Sequence, residues 1–230
     1  MSITRFLATK ITNYDNTKSI GARLRTKRIV PLINIMEQVY EEYGSVKIID
    51  IGGTQTYWGI ISSDVLDKYN VHITIANLPE MPIPKDQGRY SFIIADGCAL
   101  SDLRDGSFHI AHSNSVIEHV GDWVRMVAFA KEVKRVASKY FVQTPNYWFP
   151  IEPHCMTPFF HWLPKPIRIW LVLHFQLGHL PKAETIDEAV RLVEGSRLLS
   201  KSMLRELFKE AEIVTERLLG LPKSFIAIKK

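Results

Sequence analysis

The chain has 230 residues, enough for one sizeable domain and too few for two. Its composition, 46% hydrophobic, 10% aromatic and 23% charged, is typical of a globular protein and excludes a disordered chain, a collagen or a coiled coil. The net charge is +5; the first 30 residues hold seven basic side chains and one acid (+6), so the other 200 residues sum to −1.

The basic side chains define a segment at the start of the chain. We interpret residues 1–28 as a basic N-terminal arm and residues 29–230 as a single domain. Such an arm can bind nucleic acid, an anionic membrane or an anionic substrate, and it can equally be a solvated leader. No aromatic residue lies between Lys18 and Arg28, which disfavours nucleic acid as a partner.

Cysteine usage and hydropathy indicate the compartment. Two cysteines cannot form a disulfide scaffold, which is typical of a reducing environment. Arg5 and Lys10 interrupt the first apolar residues, unlike in a signal peptide, and the most apolar stretch, residues 169–175, is too short to span a bilayer. We therefore expect a soluble, cytoplasmic protein.

Short apolar strands alternate with helices in the first two thirds of the chain. The spacing predicts a helix from Ile29 that ends at Gly44, and another over residues 126–137. Five strands are predicted, at residues 46–51, 71–76, 91–95, 108–112 and 140–143. This alternation predicts an α/β fold, a parallel sheet with helices on both faces.

The last third of the chain departs from this order. Thr185 and Glu188 form a capping box for a helix that should end at Gly195, and a further helix covers residues 203–211. Strands at residues 213–218 and 224–228 then form a closing hairpin, which gives the parallel sheet one antiparallel member.

A segment rich in proline and aromatic residues, about 147–195, is interpreted as a lid insertion after the fifth strand. Residues 145–181 hold seven of the twelve prolines, together with Trp148, Trp162 and Trp170. The lid could shield a small hydroxylated acceptor from water, or lie on a membrane beside the basic arm to meet a lipid-linked acceptor. It could also pack only on itself.

Polar residues and glycines follow three of the predicted strands, at the edge where an open α/β sheet binds its ligand. The first strand runs into Asp50-Ile51-Gly52-Gly53-Thr54, the third into Asp96-Gly97, and the fourth into Ser113-Asn114. Each motif alone has a structural explanation as a turn or helix cap. Together they predict a pocket for a nucleoside, although the glycine spacing does not match a dinucleotide fingerprint.

These motifs, with Asn114-Ser-Val-Ile-Glu-His-Val120, Thr144-Pro-Asn146 and Phe149-Pro-Ile-Glu-Pro-His154, resemble the class I S-adenosylmethionine-dependent methyltransferases. The likeness is to the small bacterial type that resembles the ubiquinone and menaquinone methyltransferase domain. It implies a Rossmann-like sheet of seven strands, mostly parallel, S-adenosylmethionine (SAM) as cofactor and S-adenosylhomocysteine as product. It also implies cofactor-binding residues, all at strand ends: Asp50, Gly52, Gly53, Thr54, Asn77, Leu78, Asp96, Gly97, Cys98, His112 and Ser113.

The resemblance gives each part of this set a role. The turn after strand one would hold the methionine portion, near His112 and Ser113, and Asp96 would bind the adenine amino group, with Gly97 and Cys98 against the ring. Asn77 and Leu78 would border the ribose and adenine. Two departures predict weaker cofactor affinity: threonines stand at positions 54 and 56 where glycines are common, and Asn77 replaces the usual ribose-binding acid.

Methyl transfer to a hydroxyl requires alignment and a base, and histidine suits that role near neutral pH. His154, close to Glu152 in the lid, is the first candidate; His119, which could instead cap the helix near Asp122, is a second, and His112 is unusual for its strand position. Each could equally be structural. Cys98, His154 and Cys155 lack metal-ligand spacing, so no metal site is predicted.

The expected function is therefore SAM-dependent O-methyl transfer to a small-molecule acceptor, such as a sugar or glycan intermediate. The alternatives are a catalytically silent SAM-fold binding protein and a methyltransferase for a lipid-linked or nucleic-acid acceptor. A peripheral membrane contact would involve the lid and the basic arm.

Overall fold

A computed structural model describes residues 20–80, 84–178 and 180–230, with side chains from Arg28 onward. The first helix, α1, spans Ile20–Tyr43 and therefore begins well before the predicted start at Ile29. The predicted basic arm lies outside the described residues except for this helical segment and Arg28. The Arg28 side chain bonds to Glu216 (Nε to Oε1, 2.8 Å) and Asn114 (Nη1 to Oδ1, 2.7 Å), so it belongs to the folded body.

Seven strands form one sheet in the order β3-β2-β1-β4-β5-β9-β8. All pairs from β3 to β5 are parallel, and β9 is antiparallel to both of its neighbours. This confirms the predicted α/β fold and its closing hairpin. The strands are β1 Val46–Ile51, β2 Val71–Asn77, β3 Tyr90–Ile94, β4 Phe108–Asn114, β5 Ala137–Pro145, β8 Glu212–Leu218 and β9 Leu221–Lys229. A small separate hairpin pairs β6 Ile151–Glu152 with β7 Thr157–Pro158.

Helices cover both faces of the sheet because successive strand residues point to opposite sides. Ile48 packs with Leu32 of α1 on one face, whereas the next residue, Ile49, packs with Phe129 on the other. The remaining helices are α2 Gln55–Trp58, α3 Ser63–Lys68, α4 Trp123–Val136, α5 Lys165–His174, α6 Ile186–Glu194 and α7 Lys201–Leu207, with short 3-10 turns at Ile117–His119 and Phe160–Trp162.

The lid insertion has a hydrophobic core of its own. Cys155, Phe160 and Val172 are buried together with Ala189 and Val193 of α6. The predicted cap of α6 is present, since the Thr185 hydroxyl accepts from the Glu188 amide at 3.1 Å. The Glu188 carboxylate accepts from the Glu184 amide rather than from that of Thr185. The lid therefore packs largely on itself, and its shape is set by its own core.

Within the described residues, no helix combines the length and the apolar character that a membrane crossing needs.

Candidate functional site

The candidate site lies at the carboxyl ends of the parallel strands. The strand order reverses at β1, which has β2 on one side and β4 on the other, and this is where open α/β sheets bind ligands. Gly52 ends β1 with a φ of +74°, and its amide donates to the carbonyl of Ala76 at the end of β2. A Cβ at Gly52 would lie 2.6 Å from a methyl of Val116, so the tight turn requires glycine.

Asp50 supports this turn from below and does not reach the surface. Its carboxylate is fully buried and accepts two hydrogen bonds, from Trp58 Nε1 (2.7 Å) and from His112 Nδ1 (2.6 Å). His112 Nε2 lies 3.3 Å from the Tyr57 hydroxyl. The buried hydroxyl of Ser113 donates to the Ile51 carbonyl at 3.1 Å. Contacts of Asp50, His112 and Ser113 with a ligand at the rim are therefore restricted to their backbone atoms.

Gly53 and Asn77 join the first two strand ends. A Cβ at Gly53 would lie 1.8 Å from Asp50 Oδ2, which leaves no room for any other residue. The Asn77 amide donates to the Gly53 carbonyl at 3.0 Å, so its side-chain oxygen is the atom that can accept from a ligand. Thr54 and Leu78 are exposed on either side of this contact.

Asp96 lies after β3 with its side chain 35% exposed. Its Oδ1 accepts from the Cys98 amide at 2.9 Å, and Arg125 Nη2 donates to both carboxylate oxygens, at 3.0 and 2.8 Å. Burial alone would raise the pKa of Asp96, but these hydrogen bonds outweigh it and lower the pKa. The carboxylate is thus ionised at neutral pH and retains lone pairs for a donor such as an adenine amino group.

Two neighbours of Asp96 complete this part of the rim. A Cβ at Gly97 would lie 2.6 Å from the Ile51 side chain and 3.0 Å from Phe129, so glycine is required by packing. Burial raises the pKa of the Cys98 thiol to about 11, and the thiol donates to the Arg125 carbonyl at 3.3 Å. Arg125 was missed by sequence reasoning because its position on α4 indicates only a solvated helix face.

The two candidate catalytic histidines lie side by side, with ring centroids 4.6 Å apart and an interplanar angle of 82°. His154 Nδ1 donates to Glu152 Oε1 at 2.6 Å; burial would lower the His154 pKa, but the Glu152 carboxylate raises it overall. His119 Nδ1 donates to the Gly195 carbonyl at 2.7 Å, and burial lowers its pKa. Both histidines therefore use Nδ1 for these hydrogen bonds, and Nε2 is the ring nitrogen that takes no part in them.

His119 does not cap α4, contrary to the alternative considered from the sequence. Asp122 occupies the N-cap position, and its own carboxylate accepts from the Arg125 amide at 3.0 Å. A histidine three residues ahead of the cap cannot serve the same amides, and its Nδ1 is already engaged by the lid.

Glu118 is a buried carboxylate beside this pair that sequence reasoning did not single out. Its side chain is inaccessible to solvent, and Oε2 accepts from the Thr144 hydroxyl at 2.9 Å. Oε1 is buried with no hydrogen-bond partner within the described residues. Burial raises the pKa of Glu118 to about 7. In sequence, a glutamate after a short strand is typical of a surface residue, so only the fold shows that Glu118 is buried.

A cavity of about 330 Å³ opens within the lid. Its lining is mostly polar and charged, including His161, Arg168 and Arg197, and Glu152 contributes from the side of the histidine pair. His161 Nε2 donates to the Tyr147 carbonyl at 2.7 Å, while its Nδ1 is buried with no partner among the described residues. The lid thus encloses polar space next to the histidines.

Several large apolar side chains of the lid are exposed to solvent. Trp148 is 63% exposed, and several others are 39–52% exposed: Phe159, Trp162, Ile167, Trp170 and Phe175. The aromatic residues of the predicted lid therefore divide between the lid core and solvent.

No protein-family model matches the chain, and no curated protein matches its sequence. Solved structures do match. Magnesium protoporphyrin IX methyltransferase from Synechocystis PCC 6803, crystallised with bound SAM, is 8% identical with a TM-score of 0.52, over 99% of this chain and 92% of that one. A putative Zn-dependent alcohol dehydrogenase from Rhodobacter sphaeroides is 11% identical with a TM-score of 0.52, over 83% and 86%.

A SAM-dependent methyltransferase from Methanosarcina mazei is 16% identical, over 83% of this chain and 96% of that chain, with a TM-score of 0.45. At such identities the likeness shows the fold alone. That fold is the Rossmann-like fold of the class I SAM-dependent methyltransferases. The narrower resemblance to the ubiquinone and menaquinone subgroup stays a prediction, as does the division of the chain into an arm and a single domain.

Proposed function

We propose that this chain is a SAM-dependent methyltransferase that methylates a hydroxyl group of a small molecule, with a sugar or glycan intermediate as the favoured acceptor. The observation that carries the proposal is the arrangement of the rim. Three neighbouring strands of a class I methyltransferase fold are followed by potential cofactor contacts: an accessible glycine turn after β1, the Asn77 amide after β2 and the Asp96 carboxylate after β3. Neither the cofactor nor the acceptor class is given by the fold itself.

The rim residues fit such a cofactor. Gly52 and Gly53 have no side chain, so the turn can pack closely against Val116 and Asp50 and no side chain of its own covers its backbone. Asp96 offers an ionised acceptor to the adenine amino group, and Asn77 offers a carbonyl oxygen to the ribose. Because Asp50 is committed to Trp58 and His112, the methionine end would be held by backbone amides of the turn.

When bound, SAM supplies a methyl group on a sulfonium that needs no further activation, so the protein must align the acceptor and remove its proton. His154 is suited to accept that proton at Nε2, because Glu152 fixes Nδ1 as the donor and stabilises the resulting imidazolium. His119 packs edge-on against it and keeps the ring in place. Two lid residues, Glu152 and Gly195, hold the two rings through Nδ1.

The nature of the cavity supports a polar acceptor. Its lining of arginine, histidine and glutamate side chains can hydrogen-bond several hydroxyls, as a sugar requires, and an apolar ring would leave those groups unpaired.

Calorimetry with SAM tests the cofactor. We expect binding in the micromolar range, weakened by Asp96→Ala because the adenine acceptor is lost. Asp105→Ala is the matched control, since Asp105 is also paired with an arginine (Arg135, 2.7 Å) but lies away from the rim. Equal affinity in the two variants would show that the adenine position is wrong, and binding without turnover on any acceptor would favour the silent binding protein.

Incubation of a metabolite extract with isotopically labelled SAM would identify the acceptor. With that acceptor, His154→Ala should lower kcat and leave SAM affinity nearly unchanged, whereas His72→Ala, an exposed histidine of β2, should change neither. Full activity of His154→Ala would remove it as the base.

A lipid-linked acceptor is the second candidate, favoured by the exposed tryptophans and phenylalanines on the lid. Flotation with anionic vesicles at low salt decides it: retention in the protein fraction would exclude this candidate. A nucleic-acid acceptor is supported by the basic arm alone, and an affinity that is insensitive to salt would exclude it.

A further inference from the structure

Three side chains with metal-binding atoms converge where the lid meets the sheet. Glu118 and His119 lie in the 3-10 turn after β4, and His154 lies in the hairpin loop of the lid. One potential ligand atom from each residue lies within 4.8 Å of the other two. His119 is accessible and the His154 side chain is 26% exposed, so an ion could enter from solvent.

Both histidines are held in the tautomer that a metal requires. Nδ1 of His154 donates to the Glu152 carboxylate, and Nδ1 of His119 donates to the Gly195 carbonyl. In each ring, Nε2 is therefore the nitrogen left to act as a ligand. Carboxylate and carbonyl partners of this kind are what orient histidine ligands in metal sites. Glu152 is fixed in turn by the amides of His154 and Cys155, at 2.7 Å each.

The third potential ligand is the carboxylate of Glu118. Glu118 is wholly buried, Oε2 is occupied by Thr144, and Oε1 has no partner within the described residues. A buried unpaired carboxylate oxygen is costly unless a cation or a donor satisfies it. One oxygen of Glu118 lies within 4.8 Å of a ring nitrogen of each histidine, so a cation held by the three residues would satisfy the carboxylate.

We propose that Glu118, His119 and His154 bind a divalent transition-metal ion, with Zn²⁺ as the expected occupant. Two imidazoles and one carboxylate form the ligand set of open zinc sites, in which the fourth position holds water or a substrate oxygen. Mg²⁺ and Ca²⁺ prefer oxygen ligands and are disfavoured. Tetrahedral bonds of 2.0–2.1 Å place ligands about 3.3 Å apart, so small rotations of the side chains would close the site.

The ion would fasten the lid to the sheet, because two of its ligands belong to the strand end and one to the lid. If an acceptor hydroxyl took the open position, the ion would polarise its oxygen, and His154 would act as a ligand in place of a base. The site itself rests on these three side chains and not on the proposed methyl transfer. Sequence spacing gives no hint of it, since His154 lies 36 positions after Glu118.

Cobalt binding tests the site without any assay of activity. The full chain is treated with a chelator, dialysed and titrated with Co²⁺, and the visible d–d absorption and calorimetry are followed, with Zn²⁺ as competitor. We expect one equivalent to bind with a tetrahedral spectrum that Zn²⁺ abolishes. His119→Gln and His154→Gln should each weaken Co²⁺ binding at least about 10-fold. His72→Gln, an exposed histidine outside the cluster, should leave it unchanged.

Absence of Co²⁺ binding, or equal affinity in His119→Gln and the parent protein, would overturn the proposal. Glu118→Gln should have the same effect as the histidine variants; because Glu118 is buried and this variant could fail to fold, the accessible His119 provides the deciding variant. SAM binding is measured separately, so a protein that binds SAM and no metal refutes this inference alone, and a protein that binds metal and no SAM refutes only the proposed function.

Discussion

Gly53→Ala is expected to destabilise the protein severely, because the new Cβ has no space. An ideal Cβ at Gly53 would lie 1.8 Å from Asp50 Oδ2 and 2.2 Å from its Cγ. The carboxylate cannot rotate away without breaking its hydrogen bonds to Trp58 and His112, both in the fully buried layer beneath the turn.

The magnitude follows from two effects at Gly53. Forcing extra volume into a packed site costs about 1–3 kcal/mol, and weakening a charge-assisted hydrogen bond of the buried Asp50 costs about 1.5–3 kcal/mol. Together they predict a loss of about 2.5–6 kcal/mol in the free energy of unfolding. For a chain of this size, that corresponds to a fall of roughly 5–24 °C in Tm.

Urea denaturation followed by tryptophan fluorescence measures this loss, and Trp58, which donates to Asp50, is one of the five tryptophans that contribute to the signal. The matched control is Gly59→Ala, in the same segment, where φ is −63° and the nearest atom to a new Cβ is the Thr56 carbonyl oxygen at 3.3 Å. We expect little change in that variant. If Gly53→Ala and Gly59→Ala unfolded within about 1 kcal/mol of each other, the close approach of Asp50 to the turn would be refuted.

Two further measurements test other parts of the structure. Arg28→Met should lower the free energy of unfolding by about 3 kcal/mol, because it leaves the carboxylate of Glu216, only 10% exposed, without its cation. The control Arg191→Ala removes one partner of an exposed ion pair and should give no measurable change. Equal urea midpoints in the two variants would contradict a stabilising buried pair. Burial raises the pKa of Cys98 to about 11 and that of Cys155 to about 12, so both thiols stay protonated at pH 8. Ellman's reagent should then react roughly a hundredfold more slowly in buffer than in urea, and equal rates would show an accessible thiolate.

Local pattern alone determined much of the fold. Apolar runs of strand length, each ended by glycine or a polar residue, locate five parallel strands within a few residues of their observed bounds. The capping residue Thr185 and the turn before β9 depend only on neighbouring residues and were equally readable. Because parallel strands share one orientation, the sequence also predicted which polar residues meet at one rim of the sheet.

Pattern did not indicate what each rim residue does. The sequence predicts that Asp50 binds the ligand, but its carboxylate accepts hydrogen bonds from Trp58 and from His112, which is 62 positions away. Asp96 depends on Arg125, 29 positions away, on a helix face that looks solvated. The sequence shows that the lid is rich in aromatic residues, but only packing decided which of them are buried.

The same holds for the cluster of Glu118, His119 and His154. Residue type and local spacing determine secondary structure, since periodicity and capping act over a few residues. The pairing of side chains that are tens of positions apart depends on how the lid closes over the sheet, and no local pattern encodes that distance. Tertiary structure therefore decided that these three side chains meet, whereas the sequence by itself determined the strand that Glu118 and His119 follow.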